Sequence, residues 1–381
     1  MPLPSFKEML SRLISEPSVS CTSPEIDQSN LKVIEHLANW LDDLGFRTEL
    51  MPLPDTPGKA NLIATLGHGT GGLVLAGHTD TVPFDHAAWN KTPLSVTDTD
   101  NRFYGLGTCD MKGFFPIALG AAAAYIDAKL KAPITIVATS DEESSMAGGR
   151  YLMECGRPRA EAAIIGEPTG LQPIYAHKGI MLLSIKLQGS SGHSSNPELG
   201  RNALDAMHAV MAELIVFRQE LAERYQNPAF EVTIPTLNLG CLRAGDNPNR
   251  ICDHAELQID LRVLPGMDTD AIYDALKLRM LGVAQEHQMP LSFEPFYPPI
   301  PPFETPKDGQ LVRTLSTLSG NRPGTVAFGT EGFFLQSLGM ETVIFGPGSI
   351  AQAHQPDEYL AHDQIEPARA TLMKVIEHYC L

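Results

Sequence analysis

Five short stretches of the chain place a metal-seeking or proton-moving side chain just after an apolar run. The first is Gly77-His78-Thr79-Asp80-Thr81-Val82-Pro83, which follows Leu73-Val74-Leu75-Ala76. Next come Cys109-Asp110-Met111-Lys112-Gly113, Asp141-Glu142-Glu143 and Gly166-Glu167-Pro168. Far downstream lies Gln352-Ala353-His354-Gln355-Pro356. Imidazoles and carboxylates are the ligands that zinc and similar divalent ions take. A ligating imidazole needs a carboxylate or carbonyl to fix its tautomer, and Asp80 stands two residues from His78. Two ions about 3.5–4 Å apart need a carboxylate between them. Two histidines, one central aspartate, two glutamates and a spare carboxylate supply that inventory. The neighbours Glu142 and Glu143 point in different directions at a strand end, so one can bind metal while the other faces a water. The set suggests a metal site with a catalytic water.

Each piece has an ordinary explanation when taken alone. His-x-Asp occurs by chance, and a lone histidine is more often a hydrogen-bonded structural residue. Ser140 followed by Glu143 also fits a capping box at a solvated helix start. What raises the metal reading is the order of the pieces, their strand-end placement, and the glycines and prolines around them.

The elements that must position these groups are legible as alternation. A short helix is expected over 5–14. A second begins after Ser29, with Leu31, Ile34, Leu37, Leu41 and Leu44 at helical spacing and Gly45 as its stop. Residues 48–51, 61–66, 73–76, 134–139 and 162–165 read as strands, and the alanine-rich 113–128 as a buried helix. This pattern argues for an α/β fold: a mixed, largely parallel twisted sheet between helices, with ligands at its carboxyl edge. After Ala176-His177-Lys178-Gly179 the order becomes strand (181–187), helix (202–223), two strands (233–239 and 255–263) and helix (269–286), a small α+β unit. Pro295, Pro298, Pro299, Pro301 and Pro302 then form a stiff connector. Alternation resumes over 310–318, 325–327, 333–338 and 342–345, with a last helix from about 366. Since His354 carries the same chemistry as His78, the chain is expected to return to its first domain. The expected division is a discontinuous catalytic domain, 1–178 with 290–381, and an inserted lid or dimerisation domain, 179–289.

Composition narrows the class. At 381 residues the chain exceeds the ~250–300 at which single cores split, which also favours two domains. With 28 lysines and arginines against 45 acids, a formal charge of −17 opposes nucleic-acid binding and gives no reason to propose a membrane surface. No run approaches the ~20 apolar residues of a membrane span. The stretch from Met1 to Glu8 lacks the basic-then-apolar order of a secretory signal. Six cysteines show neither CxxC pairs nor a disulfide framework, so a cytoplasmic protein is expected.

As a set, the motifs resemble the M20 family of co-catalytic zinc aminoacylases and peptidases. The resemblance rests on 75–83, 105–113, 141–143, 165–169, 189–195 and 346–359, and spans essentially the whole chain. It implies that His78 and Glu167 hold one divalent ion, Glu143 and His354 the other, and that Asp110 bridges them, the ions being zinc or cobalt. Asp80 would orient His78, and Glu142 would be the general base. His193 would reach the active site of the neighbouring subunit in a homodimer and donate to the oxyanion. The implied reaction is amide hydrolysis of a small N-acyl amino acid, with N2-acetyl-L-ornithine the expected substrate in arginine biosynthesis. A succinylated diamino acid or a broad range of acyl amino acids is the alternative. A substrate carboxylate would want a cation or backbone N–H groups. Lys178, Arg250 and the loop Gly329-Thr330-Glu331 are the candidates, with Glu331 either meeting a substrate ammonium or standing as an exposed loop carboxylate. Cys109 departs from the small residue found before the bridging aspartate and reads as a buried thiol. A metal-stabilised binding protein without activity is the reading from another class. Glu142 argues against it, since a structural zinc site needs no base.

Overall fold

The computed structural model describes residues 3–381; the first two residues of the stretch read for a secretory signal lie outside it. The strands, in chain order, are β1 (Arg47–Pro52), β2 (Ala60–Leu66), β3 (Leu73–His78), β4 (Thr97–Thr99), β5 (Arg102–Tyr104), β6 (Ile134–Thr139), β7 (Ala162–Ile165), β8 (Ile174–His177), β9 (Gly179–Gln188), β10 (Thr236–Ala244), β11 (His254–Val263), β12 (Leu291–Pro295), β13 (Phe303–Glu304), β14 (Gly324–Val326), β15 (Glu341–Ile344) and β16 (Tyr359–Ala361). The helices of four or more residues are α1 (Phe6–Ser15), α2 (Leu31–Asp43), α3 (Phe114–Ala123), α4 (Ala147–Cys155), α5 (Ala203–Arg224), α6 (Thr269–Glu286), α7 (Gln310–Ser319), α8 (Gly332–Ser337) and α9 (Ile365–Cys380).

The chain divides into two compact units. The larger takes the residues up to Ala176, then Glu304–Gly324 and Thr330–Leu381; the smaller takes His177–Phe303 and Thr325–Gly329. The larger is built on a mixed sheet in the order β1-β2-β6-β3-β7-β15-β8. Its centre is parallel, with β3 between β6 and β7 and β15 beside β7, while β1, β2 and β8 run antiparallel to their neighbours. Strands β3, β6 and β7 are buried along their whole length, as expected of strands covered on both faces. Helix α1 opens with a capping box, in which Ser5 and Glu8 satisfy each other's backbone N–H, and buries Met9, Leu10, Leu13 and Ile14. Helix α3, FFPIALGAAA, is apolar nearly all round and correspondingly buried. It ends at Ala123 rather than continuing to 128. A three-stranded sheet, β16-β5-β4, joins the C-terminal segment to the loop before α3, with Tyr359 opposite Tyr104.

The smaller unit is one antiparallel sheet, β10-β11-β9-β12, packed against α5 and α6. Along β11 burial alternates residue by residue, the pattern of a sheet with one covered face. This unit runs on past 289 because β12 adds to the edge of the sheet, with Phe293 opposite Ile185. A proline-bearing strand is tolerated there because an edge strand need not donate on both sides.

Candidate metal centre

Three of the five stations leave neighbouring strands of the larger unit at the same edge. His78 is the last residue of β3 and sits opposite Thr139, the last residue of β6. The ladder continues for one more step, as Thr79 donates to the Thr139 carbonyl and Gly166 to that of Ala76. Glu142 and Glu143 therefore follow β6, and Glu167 follows β7, within a few residues of His78. Gly166 has a packing reason to be glycine: a Cβ there would lie 2.1 Å from the ring of Phe114.

Two loops supply the rest. Asp110 stands in the turn entering α3, and His354 in the turn before β16 with φ of 59°. The Asp110 carboxylate lies between two imidazoles. Its Oδ1 is 3.1 Å from His78 Nε2 and its Oδ2 is 3.5 Å from His354 Nε2. His354 Nε2 is also 3.1 Å from both oxygens of Glu143, and His78 Nε2 is 3.8 Å from Glu167. The triads His78–Asp110–Glu143 and His78–Glu142–Glu167 each offer ligand atoms that all lie within 4.8 Å of one another. His78, Asp110, Glu142 and Glu167 are buried, whereas the His354 side chain is 51% exposed.

Asp80 works differently from the expected carboxylate–imidazole pairing. His78 Nδ1 lies 3.0 Å from the Asp80 backbone carbonyl and 3.7 Å from its carboxylate. The carboxylate instead accepts the Glu143 N–H at 3.0 Å. One residue thus fixes the tautomer of His78 and ties the Glu143 backbone to the same corner. The capping-box explanation of Ser140 and Glu143 fails, because this N–H goes to Asp80 and α4 begins only at Ala147.

A divalent pair fits this donor chemistry. Desolvation raises the pKa of Glu142, Glu143 and Glu167, reinforced for Glu142 by Glu167 and for the other two by Asp110. Burial opposes charge on both His78 and Asp110, yet their mutual contact and the surrounding charges raise the histidine well above its usual value and lower the aspartate. Contacts with Asp110 and Glu143 push His354 up to about 10. Four crowded carboxylates holding two imidazoles in this state form a cradle in which a positive ion takes the place of the protons.

The corner at Asp141 has its own support, which the sequence did not announce. Asp141 has φ of 58°, a left-handed conformation uncommon outside glycine that aspartate tolerates better than most residues. Its Oδ1 accepts from Lys59 Nζ at 2.6 Å and from Ser20 Oγ at 2.9 Å. Lys59 also reaches Asp27 at 2.9 Å and is itself buried. Lys112, inside one of the quoted motifs, is buried too and caps the carbonyls of Leu13 and Glu16. The Cys109 thiol is buried, and desolvation raises its pKa well above the usual value.

The candidates for substrate contact fare unevenly. Glu331 is no exposed loop carboxylate. It is buried behind β6, where Thr139 Oγ1 donates to it at 2.7 Å, and desolvation pushes it up to about 7. Thr330, also buried, accepts the Gly332 N–H, and Gly329 is half-buried. Lys178 belongs to the smaller unit, and its buried ammonium donates to the carbonyls of Val232 and Ile234 at 2.8 and 2.7 Å. That makes it a brace for the 232–234 segment. Arg250 is half exposed and pairs with Asp246. His193, also in the smaller unit, is exposed; its Nδ1 accepts the Ser195 N–H at 3.2 Å. With Nδ1 accepting from a backbone N–H, the ring's other nitrogen, Nε2, is the one available to donate.

The comparisons agree with the geometry. The model of Peptidase family M20/M25/M40 matches residues 74–378. Acetylornithine deacetylase of Pectobacterium carotovorum is 47% identical over 380 residues, covering 100% of this chain and 99% of the relative. That of Klebsiella pneumoniae is 48% identical over 378 residues, covering 99% and 98%. Among solved structures, an M20 family metallo-carboxypeptidase from Sulfolobus solfataricus superposes with a TM-score of 0.79 at 19% identity, covering 98% of this chain and 99% of that one. A dinuclear metal binding peptidase of the M20 family from Bacillus subtilis gives 0.67 at 16% identity, covering 97% and 96%.

Proposed function

The chain belongs to Peptidase family M20/M25/M40, and from that premise we infer that it is a metal-dependent acetylornithine deacetylase. It hydrolyses N2-acetyl-L-ornithine to L-ornithine and acetate in arginine biosynthesis. The full-length relatives at 47% and 48% identity support the substrate. The observation that carries the chemistry is Asp110 set between His78 and His354, with Glu142 and Glu167 grouped around the same His78.

In this reading His78 and Glu167 would hold one ion and Glu143 and His354 the other, with Asp110 placed to be shared between them. Zinc is the expected metal, with cobalt able to replace it. Such ions supply Lewis acidity, which polarises an acyl oxygen and lowers the pKa of water to about 7. The protein's own groups do the remainder. Glu142 takes the proton of the attacking water and returns it to the departing amine, so a poor leaving group departs neutral. Asp80 keeps the His78 ring aimed at Asp110 through its carbonyl. His193 offers its Nε2–H to the oxyanion that develops on the acyl oxygen, acting across a homodimer interface. The six free cysteines support a reducing, cytoplasmic setting. Among the described residues no helix is long and apolar enough to cross a membrane.

The test is a release assay with N2-acetylornithine, N-succinyl-diaminopimelate and N-acetylmethionine, each with and without chelator. The acetylornithine arm should show the highest kcat/KM and should fall to background on chelation. Faster release of succinate, or activity indifferent to chelator, would overturn the reading. Replacing His193 by alanine should lower kcat by about 10²–10³ while KM moves far less, as for loss of one oxyanion donor. An unchanged kcat would remove it from the mechanism.

A further inference from the structure

Glu358 is buried to within 1% of full enclosure, and its carboxylate is spent on backbone N–H groups. Its Oε1 accepts from Cys109 at 2.8 Å and from Asp110 at 3.0 Å, and its Oε2 accepts from Gly107 at 3.1 Å. The Glu358 carbonyl accepts a fourth N–H of the same loop, that of Gly105. The next residue, Tyr359, pairs with Tyr104. One side chain therefore grips the loop that ends in Asp110. It does so from the segment that carries His354 four residues earlier.

The neighbouring acid works in parallel. Asp357, with φ of 57°, accepts the N–H groups of Asn90 and Lys91 at 2.9 and 2.8 Å. It is attached to a loop that carries none of the ligands. Three converging N–H groups suit a carboxylate, which has lone pairs on both oxygens. An amide would turn its NH2 toward one of those donors.

We propose that Glu358 is a positioning residue for the metal centre: by holding the 107–110 loop to the His354 segment it sets the separation of Asp110 from His354. This rests on the reading that those two residues hold an ion. Neither ligand ends a strand, so the sheet ladder does not fix their spacing. The carboxylate clamp does that work, and it gives the fold a reason to enclose an acid that touches no substrate. Outer residues that orient ligands in this way typically contribute 10–100-fold in metal affinity or activity.

The test uses the full chain, stripped of metal and titrated with Co²⁺ and Zn²⁺ against a competing chelator, alongside kinetics on N2-acetylornithine at saturating metal. Glu358→Gln should weaken the affinity for one of the two ions by about 10–100-fold and lower kcat, with excess metal restoring part of the activity. KM should stay within about threefold, because no substrate contact is lost. Asp357→Asn, the control, should keep metal affinity within about twofold, as for a surface change. Should Glu358→Gln not fold, Glu358→Asp, which keeps the charge but retracts it by one methylene, is read the same way. Wild-type affinity and kcat in the folded variant, or a lower melting temperature with unchanged affinity, would overturn the inference. A wild-type chain that takes up no ion would overturn the metal reading beneath it.

Discussion

The proposed ligands reach the candidate centre by two routes. His78, Glu143 and Glu167 leave the ends of β3, β6 and β7, three adjacent strands of one sheet, and inherit their spacing from its register. Asp110 and His354 come from turns that lie beyond the short β5–β16 ladder linking their segments, and His354 holds a left-handed conformation besides. At the strand ends a few backbone hydrogen bonds suffice for precision. At the turns the same precision requires enclosed side chains aimed at peptide groups, and Glu358 is the one that faces Asp110. The strand-end route has one weak point of its own, the Asp141 corner, where the chain must turn sharply to separate Glu142 from Glu143. There the buried Lys59 supplies the support. Secondary structure thus positions what it can, and buried ion pairs or carboxylate clamps appear where it stops.

That contrast can be broken experimentally, beginning with the largest effect. Glu142→Ala removes the proposed proton acceptor and leaves the five proposed ligands in place, so kcat should fall by about 10²–10⁴ with metal content retained. Parallel loss of both ions would instead place Glu142 among the ligands. Lys59→Met leaves the buried Asp141 carboxylate without its cation, a change that typically costs about 3–5 kcal/mol of stability. Denaturant titration should show it, and adding Asp141→Asn should recover part of the loss. Additive losses in the double variant would refute the pairing.

The smallest effect concerns Glu331, behind the strand-end route. Its carboxyl titrates at about 7 in the folded protein, against 4.5 for the ordinary group. The folded state thus holds a proton that the unfolded chain has released, and stability is lost as pH rises through that window. Glu331→Gln avoids the penalty. Its melting temperature relative to wild type should therefore improve between pH 5 and pH 8 in the metal-free protein. A constant difference would show that Glu331 stays charged throughout.

The two routes were not equally legible in the sequence. The strand-end residues announce themselves because an apolar run predicts a buried strand, and a polar residue just beyond it predicts the sheet edge. Asp110 and His354 are picked out by residue type and the same apolar-run argument, but the structure puts them in turns, which that argument does not describe. Glu358 and Lys59 gave no such signal. One binds peptide groups about 250 positions away, and the other pairs with an acid 82 positions away. Lys178 shows a related limit, because composition does not separate a lysine open to solvent from one donating to internal carbonyls. The fold was read well where segments were long and apolar. The three-residue strands of the small sheet, and β12 among its prolines, fell below what alternation can reveal.

The Asp141 corner bears on where the working enzyme begins. The family match starts at residue 74, after Ser18, Ser20, Asp27 and Lys59 have already passed. Yet Ser18 Oγ donates to the Thr79 carbonyl, one residue from His78, and Ser20 and Lys59 grip Asp141. A fragment trimmed to the matched span would carry all five proposed ligands and the proposed base while discarding the residues that steady them. The family model's match thus begins inside the supporting structure although relatives align over the whole chain, so a shortened version should keep α1 and everything after it.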